Sequence, residues 1–309
     1  MINSGCRETA TEDLPKSYNS RTPTETQQRS DAGPPGGASE GGAAAGVLGE
    51  LIAAALRRAE LLRPRRSELE QRARDAGAPP SMVRALRRED VAVIAEIKRA
   101  SPSQGSINPG LDAAAQAVAY ARGGAAAISV LTEPLRFSGS LTDLETTSGA
   151  VTIPLLRKDF VLAEEQVLEA RIAGASAVLL IARALRRERL LELAAFCRAS
   201  GVEPLVEVRT SRELAVALSA GALLVGINAR DLETLEVDPR VVPRIAALVP
   251  RDCVCIAESG MRDRSDVEAV AEHGVDAVLM GSALSAAPDP ASAVRAITGV
   301  ERRQRAARD

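Results

Sequence analysis

The sequence predicts an α/β protein: a single (β/α)8 TIM barrel with an N-terminal helical extension and a disordered N-terminal tail. Short β-branched runs alternate with helical segments in units of about 20 to 35 residues, the rhythm of parallel βα units. Eight such runs fall within roughly 220 residues, the length of a closed eight-stranded barrel. No G-x-G-x-x-G turn follows the first run, which counts against a doubly wound dinucleotide-binding sheet.

Residues 1–46 are rich in Thr, Ser, Gln, Gly and Pro and end in GPPGGASEGGAAAG. They carry too little apolar surface to offset the entropy of ordering, so they are expected to be disordered. From Val47 the run VLGELIAAALRRAELL has apolar residues at helical spacing, and Pro64 interrupts it before a second short helix. Pro79-Pro80 makes a turn with Ser81 placed as a helix N-cap. This extension covers residues 47–90, the whole barrel unit runs from 47 to 300, and residues 301–309 form a charged tail. The predicted strands are VAVIAEIK from Val91, AAAISVLT from Ala125, IPLLRKDF from Ile153 and AVLLIA from Ala177. EPLVEV from Glu203, LLVGINA from Leu223, VCIAES from Val254 and AVLMGSA from Ala277 complete the set. Helices fit between them, several closing on a glycine (Gly124, Gly174, Gly201, Gly221, Gly274) as expected of left-handed C-caps.

Composition narrows the function. With 309 residues, 46% of them apolar, and a net charge of -2, the chain can bury a large core and has no general attraction to polyanions. Neither nucleic acid nor membrane is an expected partner. The arginine-dense stretch Arg57–Arg74 is interleaved with Glu60, Glu68 and Glu70, and reads as a solvated helix face. Cys6, Cys197, Cys253 and Cys255 show no C-x-x-C and no metal-ligand spacing; the last two read as small core residues. No apolar h-region occupies the first thirty residues and no run of eighteen apolar residues occurs, so the reducing cytoplasm is the expected compartment. His273, the single histidine, stands before Gly274 at a helix end, which removes His-based triads, zinc sites and proton shuttles. Acid–base work falls to Lys, Glu and Asp.

Three lysines stand against thirty-six arginines. Lys16 lies in the tail, whereas Lys98 and Lys158 each end an apolar β-prone run. An amine can exchange its proton where a guanidinium cannot, so lysines kept in such places point to chemistry. Catalytic groups of a barrel gather at the C-terminal ends of its strands. There the chain carries Glu96 and Lys98 on the first strand, Lys158 on the third and Glu207 on the fifth. Asn228 follows on the sixth, Glu258 on the seventh and Ser282 on the eighth. Such groups converging over an apolar lumen must pair with one another or with a charged ligand. Ala257–Met261 (AESGM) and Met280–Leu284 (MGSAL) put Gly260, Gly281 and Ser282 where barrels build a phosphate site from backbone N–H groups. Phe137 and Phe160 follow the second and third strands and suit a planar apolar group.

These strings, with IAEIKRASPSQG from Ile94, ISVLTEPLRFSGS from Ile128, LLRKDF from Leu155, LVEV from Leu205 and GINARDLETLEVD from Gly226, resemble those of the indole-3-glycerol phosphate synthases, barrel enzymes of tryptophan biosynthesis. The resemblance covers residues 47–300. It implies ring closure of 1-(2-carboxyphenylamino)-1-deoxyribulose 5-phosphate with loss of carbon dioxide and water, and no metal or organic cofactor. It also implies roles. Lys158 would be the general acid at the ketone oxygen, and Lys98 would hold the anthranilate carboxylate and assist loss of the hydroxyl. Ser101 and Asn228 would orient that carboxylate, and Glu207 would take the amine proton. Glu96 would orient Lys98, with Glu258, Ser259 and Arg230 completing the substrate site. Gln104, Glu165 and Leu168 depart from the family pattern, the first replacing a loop lysine and the others tyrosines. A Schiff-base aldolase on Lys98 or Lys158, the sister isomerase phosphoribosylanthranilate isomerase, and a scaffold barrel stay open as alternatives. Association with other tryptophan-pathway enzymes is compatible with such a tail, whose composition names no partner.

Overall fold

In the computed structural model residues 46–305 are described; the predicted tail, with Cys6 and Lys16, and residues 306–309 lie outside them. The eight predicted runs form β1 (Ala92–Ile97), β2 (Ala127–Leu131), β3 (Leu155–Lys158), β4 (Ala177–Ile181), β5 (Glu203–Val208), β6 (Leu224–Asn228), β7 (Val254–Glu258) and β8 (Ala277–Met280). They pair in sequence, all parallel, and β1 closes on β8 to complete a barrel. The helices are α1 (Val47–Leu62), α2 (Arg66–Asp75), α3 (Met82–Leu86), α4 (Ala113–Gly123), α5 (Pro134–Phe137), α6 (Leu141–Ala150) and α7 (Glu164–Ile172). They continue with α8 (Arg187–Ala199), α9 (Ser211–Ser219), α10 (Val241–Ala246), α11 (Arg264–Ala271), α12 (Ser282–Ser285) and α13 (Pro290–Ile297). No described helix is long and apolar enough to cross a membrane.

Side chains alternate between two cores, as strand pleating requires. Val93, Ala95, Val178, Val206, Val225, Cys255 and Val278 face outward onto the helices. Ala92, Ile94, Leu156, Leu205, Leu224, Ile256 and Leu279 fill the lumen. Continuing the inward parity upward gives Glu96, Lys158, Glu207, Asn228, Glu258 and Gly281, so the pleat that packs the lumen also delivers the polar mouth. The predicted glycine caps hold: Gly124, for one, takes φ 98° just past α4, and its N–H donates to the Ala121 and Tyr120 carbonyls. Cys253 and Cys255 are buried, and burial pushes the Cys255 thiol up to about 12.

The extension touches the barrel from mouth to floor. Leu48 and Leu51 of α1 join the lumen cluster at the mouth. Leu69 and Ala73 of α2 pack on Leu168 of α7. At the floor, Ser81 Oγ donates to Glu203 Oε1 (2.7 Å), while the N–H groups of Met82 and Val83 donate to Glu203 Oε2 (2.8 and 2.9 Å). Ser81 also accepts from the Arg84 N–H, as its predicted capping role requires. The arginine-dense stretch is not simply a solvated face. Arg66 pairs with Glu164 and Glu165 of α7, and Arg58 forms a two-pronged pair with Asp159. Both contacts join segments about a hundred residues apart, a distance at which helical periodicity carries no signal. Glu165 and Leu168, the two departures on α7, are the residues onto which α2 docks.

The segment after residue 300 lies against the floor. Glu301 bridges Asp90, Arg302 and Arg305 both pair with Asp276, and Arg305 also donates to the carbonyls of Gly274, Pro250 and Cys253. Asp276 accepts in addition from the Cys255 N–H (2.7 Å), which ties this clasp to β7.

Candidate active site

All fourteen residues singled out from the sequence line one cavity of about 940 Å³ at the C-terminal ends of the strands. At its base Lys98 Nζ lies 2.7 Å from Glu96 Oε1. Lys158 Nζ lies 3.3 Å from Glu258 Oε2, 3.7 Å from Glu207 Oε2 and 3.9 Å from Glu96 Oε2. The three carboxylates are buried, and Glu96 also accepts from Ser129 Oγ (3.3 Å). The direction of the lysine shift, open from sequence alone, is fixed by this geometry. Burial works against the charged form of Lys158, but Glu258, Glu96 and Glu207 together outweigh it and raise its pKa. Lys158 is therefore an ammonium at neutral pH, able to donate a proton. Glu96 is lowered despite its burial, by Lys98 and Lys158. Glu258 goes the other way: burial, with Glu207 and Glu96 as like charges, pushes it up to about 8 against the pull of Lys158. Neither Glu258 oxygen accepts a well-formed hydrogen bond from the described residues. Lys158 thus faces Glu258 at close range without hydrogen-bond geometry.

Around this base the remaining groups are disposed by strand order. Phe137 and Phe160 stand on the β2–β3 side; Ser259, Gly260, Gly281 and Ser282 stand on the adjacent β7 and β8 ends. Ser282 opens α12 rather than ending β8. Ser259 and Gly260 both take left-handed backbone, φ 66° and 85°. That conformation is strained for serine, and such strain collects at working sites. Asn228 Oδ1 accepts from the Arg230 N–H (2.9 Å), and Arg230 Nη1 donates to the Leu235 carbonyl (2.6 Å), fixing the loop after β6. Ser101 sits in the β1 loop, where its Oγ accepts from the Gln104 N–H. Among the described residues no group of three or more His, Cys, Asp or Glu side chains is arranged to hold a metal ion.

Sequence reading missed the layer behind these groups. Asp159, next to Lys158, is buried and accepts from Thr132 Oγ1 (2.7 Å), the Phe160 N–H (2.8 Å), Arg157 and Arg58. Burial opposes its ionisation, yet Arg157 and Arg58 hold it below the usual carboxylate range. Glu133 caps α5 by accepting from the N–H groups of Leu135, Arg136 and Phe137, and so places the Phe137 ring. The KDF string held a hint of Asp159; nothing in the sequence marked Arg58 as its partner.

Fold and mouth define a (β/α)8 barrel with a buried lysine–glutamate cluster at the base of a wide cavity. Residues 50–297 match the family described as Indole-3-glycerol phosphate synthase, and the chain belongs to that family. It is 49% identical over 228 residues to the indole-3-glycerol phosphate synthase of Mycolicibacterium gilvum, covering 74% of this chain and 84% of that protein. To the enzyme of the same name from Mycobacterium ulcerans it is 50% identical over 227 residues, covering 73% and 84%. Among solved structures, 3-hexulose-6-phosphate synthase from Salmonella typhimurium superimposes with a TM-score of 0.55 at 16% identity, covering 67% of this chain and 96% of that one. This last likeness is one of fold alone.

Proposed function

We propose that this mouth closes an indole ring: 1-(2-carboxyphenylamino)-1-deoxyribulose 5-phosphate becomes indole-3-glycerol phosphate, carbon dioxide and water, the carboxy-lyase step of tryptophan biosynthesis. The observation that carries it is the Lys158 ammonium, 3.3 to 3.9 Å from three buried carboxylates, with Lys98 held 2.7 Å from one of them. The ring carbon bearing the carboxylate attacks the ketone carbon, and Lys158 supplies the proton that turns the ketone oxygen into a hydroxyl. Carbon dioxide then leaves and its bonding electrons restore the aromatic ring. Lys98 holds that carboxylate beforehand, with Ser101 and Asn228 orienting it, and then assists departure of the hydroxyl as water. Glu207 takes the amine proton as the hydroxyl leaves, and a proton from the adjoining methylene carbon replaces it on nitrogen as the last double bond forms, so the net loss is one water. Glu96 orients Lys98, while Glu258, Ser259 and Arg230 complete the polar wall. Phe137 and Phe160 flank the ring, and Gly260, Gly281 and Ser282 receive the phosphate.

The substrate is a small phosphorylated molecule, so neither nucleic acid nor membrane is needed as a partner, and the cysteine usage suits the cytoplasm. Residues 47–90 belong with the barrel, and their first helix, α1, covers its mouth. Purified protein given the substrate should develop indole fluorescence as substrate disappears, and the Lys158→Ala variant should not. Well-folded wild-type protein that forms no indole product would sink the reading.

A further inference from the structure

We propose that Gly226 and Gly281 are positioning residues: the space where each lacks a side chain is a notch that seats working carboxylates, Glu258 in the first and Glu96 with Lys98 in the second. The inference rests on the acid–base reading above. A glycine within or at the end of a buried strand loses packing and raises the entropy cost of folding, so it needs a reason. Backbone conformation does not supply one. Gly281 has φ -124°, and Gly226 is not among the glycines with positive φ. Space does supply one. A Cβ on Gly226 would stand 2.0 Å from Glu258 Oε1 and 2.9 Å from Leu205 Cδ2. A Cβ on Gly281 would stand 2.3 Å from Glu96 Oε1 and 2.8 Å from Lys98 Nζ.

The obstructing atoms set these two apart from the other crowded glycines whose φ is not positive. At Gly139 an added Cβ meets the Leu131 carbonyl oxygen at 2.1 Å, and at Gly123 the Ala291 carbonyl oxygen at 2.6 Å. There the backbone would have to move. At Gly226 and Gly281 the nearest atoms are the tips of flexible side chains, which can swing away. The fold should therefore tolerate the added methyl while the carboxylates do not keep their places. Gly226 also adjoins Glu207 in the β5–β6 register, so its notch lies within the acid–base cluster. Glu258, whose oxygens accept no hydrogen bond there, is held by this fit and by the charges facing it: Lys158 from β3, Glu207 from β5 and Glu96 from β1.

The test compares Gly226→Ala and Gly281→Ala with Gly149→Ala, a helical control whose added Cβ meets nothing within 4 Å. Displacing a catalytic group by about 1 Å can lower turnover by about 100-fold. Both notch variants should lose roughly 10- to 100-fold in kcat while keeping wild-type circular dichroism, and Gly149→Ala should match wild type. In Gly226→Ala the KM should stay near wild type. The shorter Glu258→Asp should not be worsened by adding Gly226→Ala, because it no longer fills the notch. Turnover within twofold of wild type in both notch variants overturns the proposal. So does failure to fold, which would mean the neighbours cannot yield.

If the wild-type protein makes no indole product, the functional reading falls and the notch is judged by thermal stability alone. Protonated Glu258 stabilises the fold at acid pH, and that contribution is lost as pH rises towards 8. Pushed out of its notch towards water, Glu258 loses its upward shift, so the fall in Tm between pH 5 and 8 should flatten in Gly226→Ala. An unchanged profile overturns the proposal.

Discussion

The two ends of the barrel both bury charge, and they treat it differently. At the floor the charged groups are nearly all matched donor to acceptor, with Arg305 Nε the one buried atom of the clasp left without a partner. Glu203 accepts three hydrogen bonds from the start of α3, and Asp276 accepts from Arg302, Arg305 and the Cys255 N–H. At the mouth one ammonium is shared among three carboxylates at 3.3 to 3.9 Å, and Glu258 accepts no hydrogen bond. A nearly satisfied network at the floor holds the fold together. An undersatisfied one at the mouth stores interactions that a charged substrate can complete, so the same residue types serve stability at one end and reactivity at the other.

The sharpest break between the ends is kinetic. Lys158→Ala or Glu207→Gln should lower kcat by roughly 10² to 10⁴ with little change in KM or Tm. Unchanged turnover in both would undo the assignment, and a Tm collapse would make the mouth as structural as the floor. Asp276→Ala, in contrast, should leave kcat per folded molecule intact. It strands the buried Arg305 guanidinium, a loss on the order of 3 to 5 kcal/mol that a denaturant titration would read. Glu258→Gln sharpens the contrast through pH. The folded-state pKa of Glu258 is raised, so its contribution is present below the ordinary carboxyl range and lost as pH rises through about 8. The Tm of Glu258→Gln relative to wild type should therefore climb between pH 5 and 8; a constant difference would place the carboxyl in ordinary solvation. The smallest effect is expected at the α3 cap. Ser81→Ala should cost about 1 kcal/mol in chemical denaturation and leave the mouth silent in the activity assay.

The asymmetry between the ends also explains what could be read from the sequence. Strand parity is a local property, so the eight strands and the inward-facing Glu96, Lys158, Glu207, Asn228 and Glu258 follow from alternation alone. The glycine caps and Ser81 are likewise decided within a few residues. Arg58 with Asp159, Arg66 with Glu165, and Arg305 with Asp276 join distant segments, and an arginine on a helix looks the same whether its partner is water or a barrel carboxylate. Gly226 and Gly281 were legible as glycines, but the reason for them is the shape of a neighbour from another strand.

The extension has a further consequence during synthesis. It leaves the ribosome before the strands it grips: Arg58 waits 101 positions for Asp159, and Ser81 waits 122 for Glu203. At about 5 to 20 residues per second the second wait lasts roughly 6 to 24 s. For that interval Leu48, Leu51, Met82 and Leu86, all buried in the finished molecule, have no barrel to cover. These helices are thus made well before the surfaces they pack against, and a nascent chain stalled before β5 would present them to chaperones.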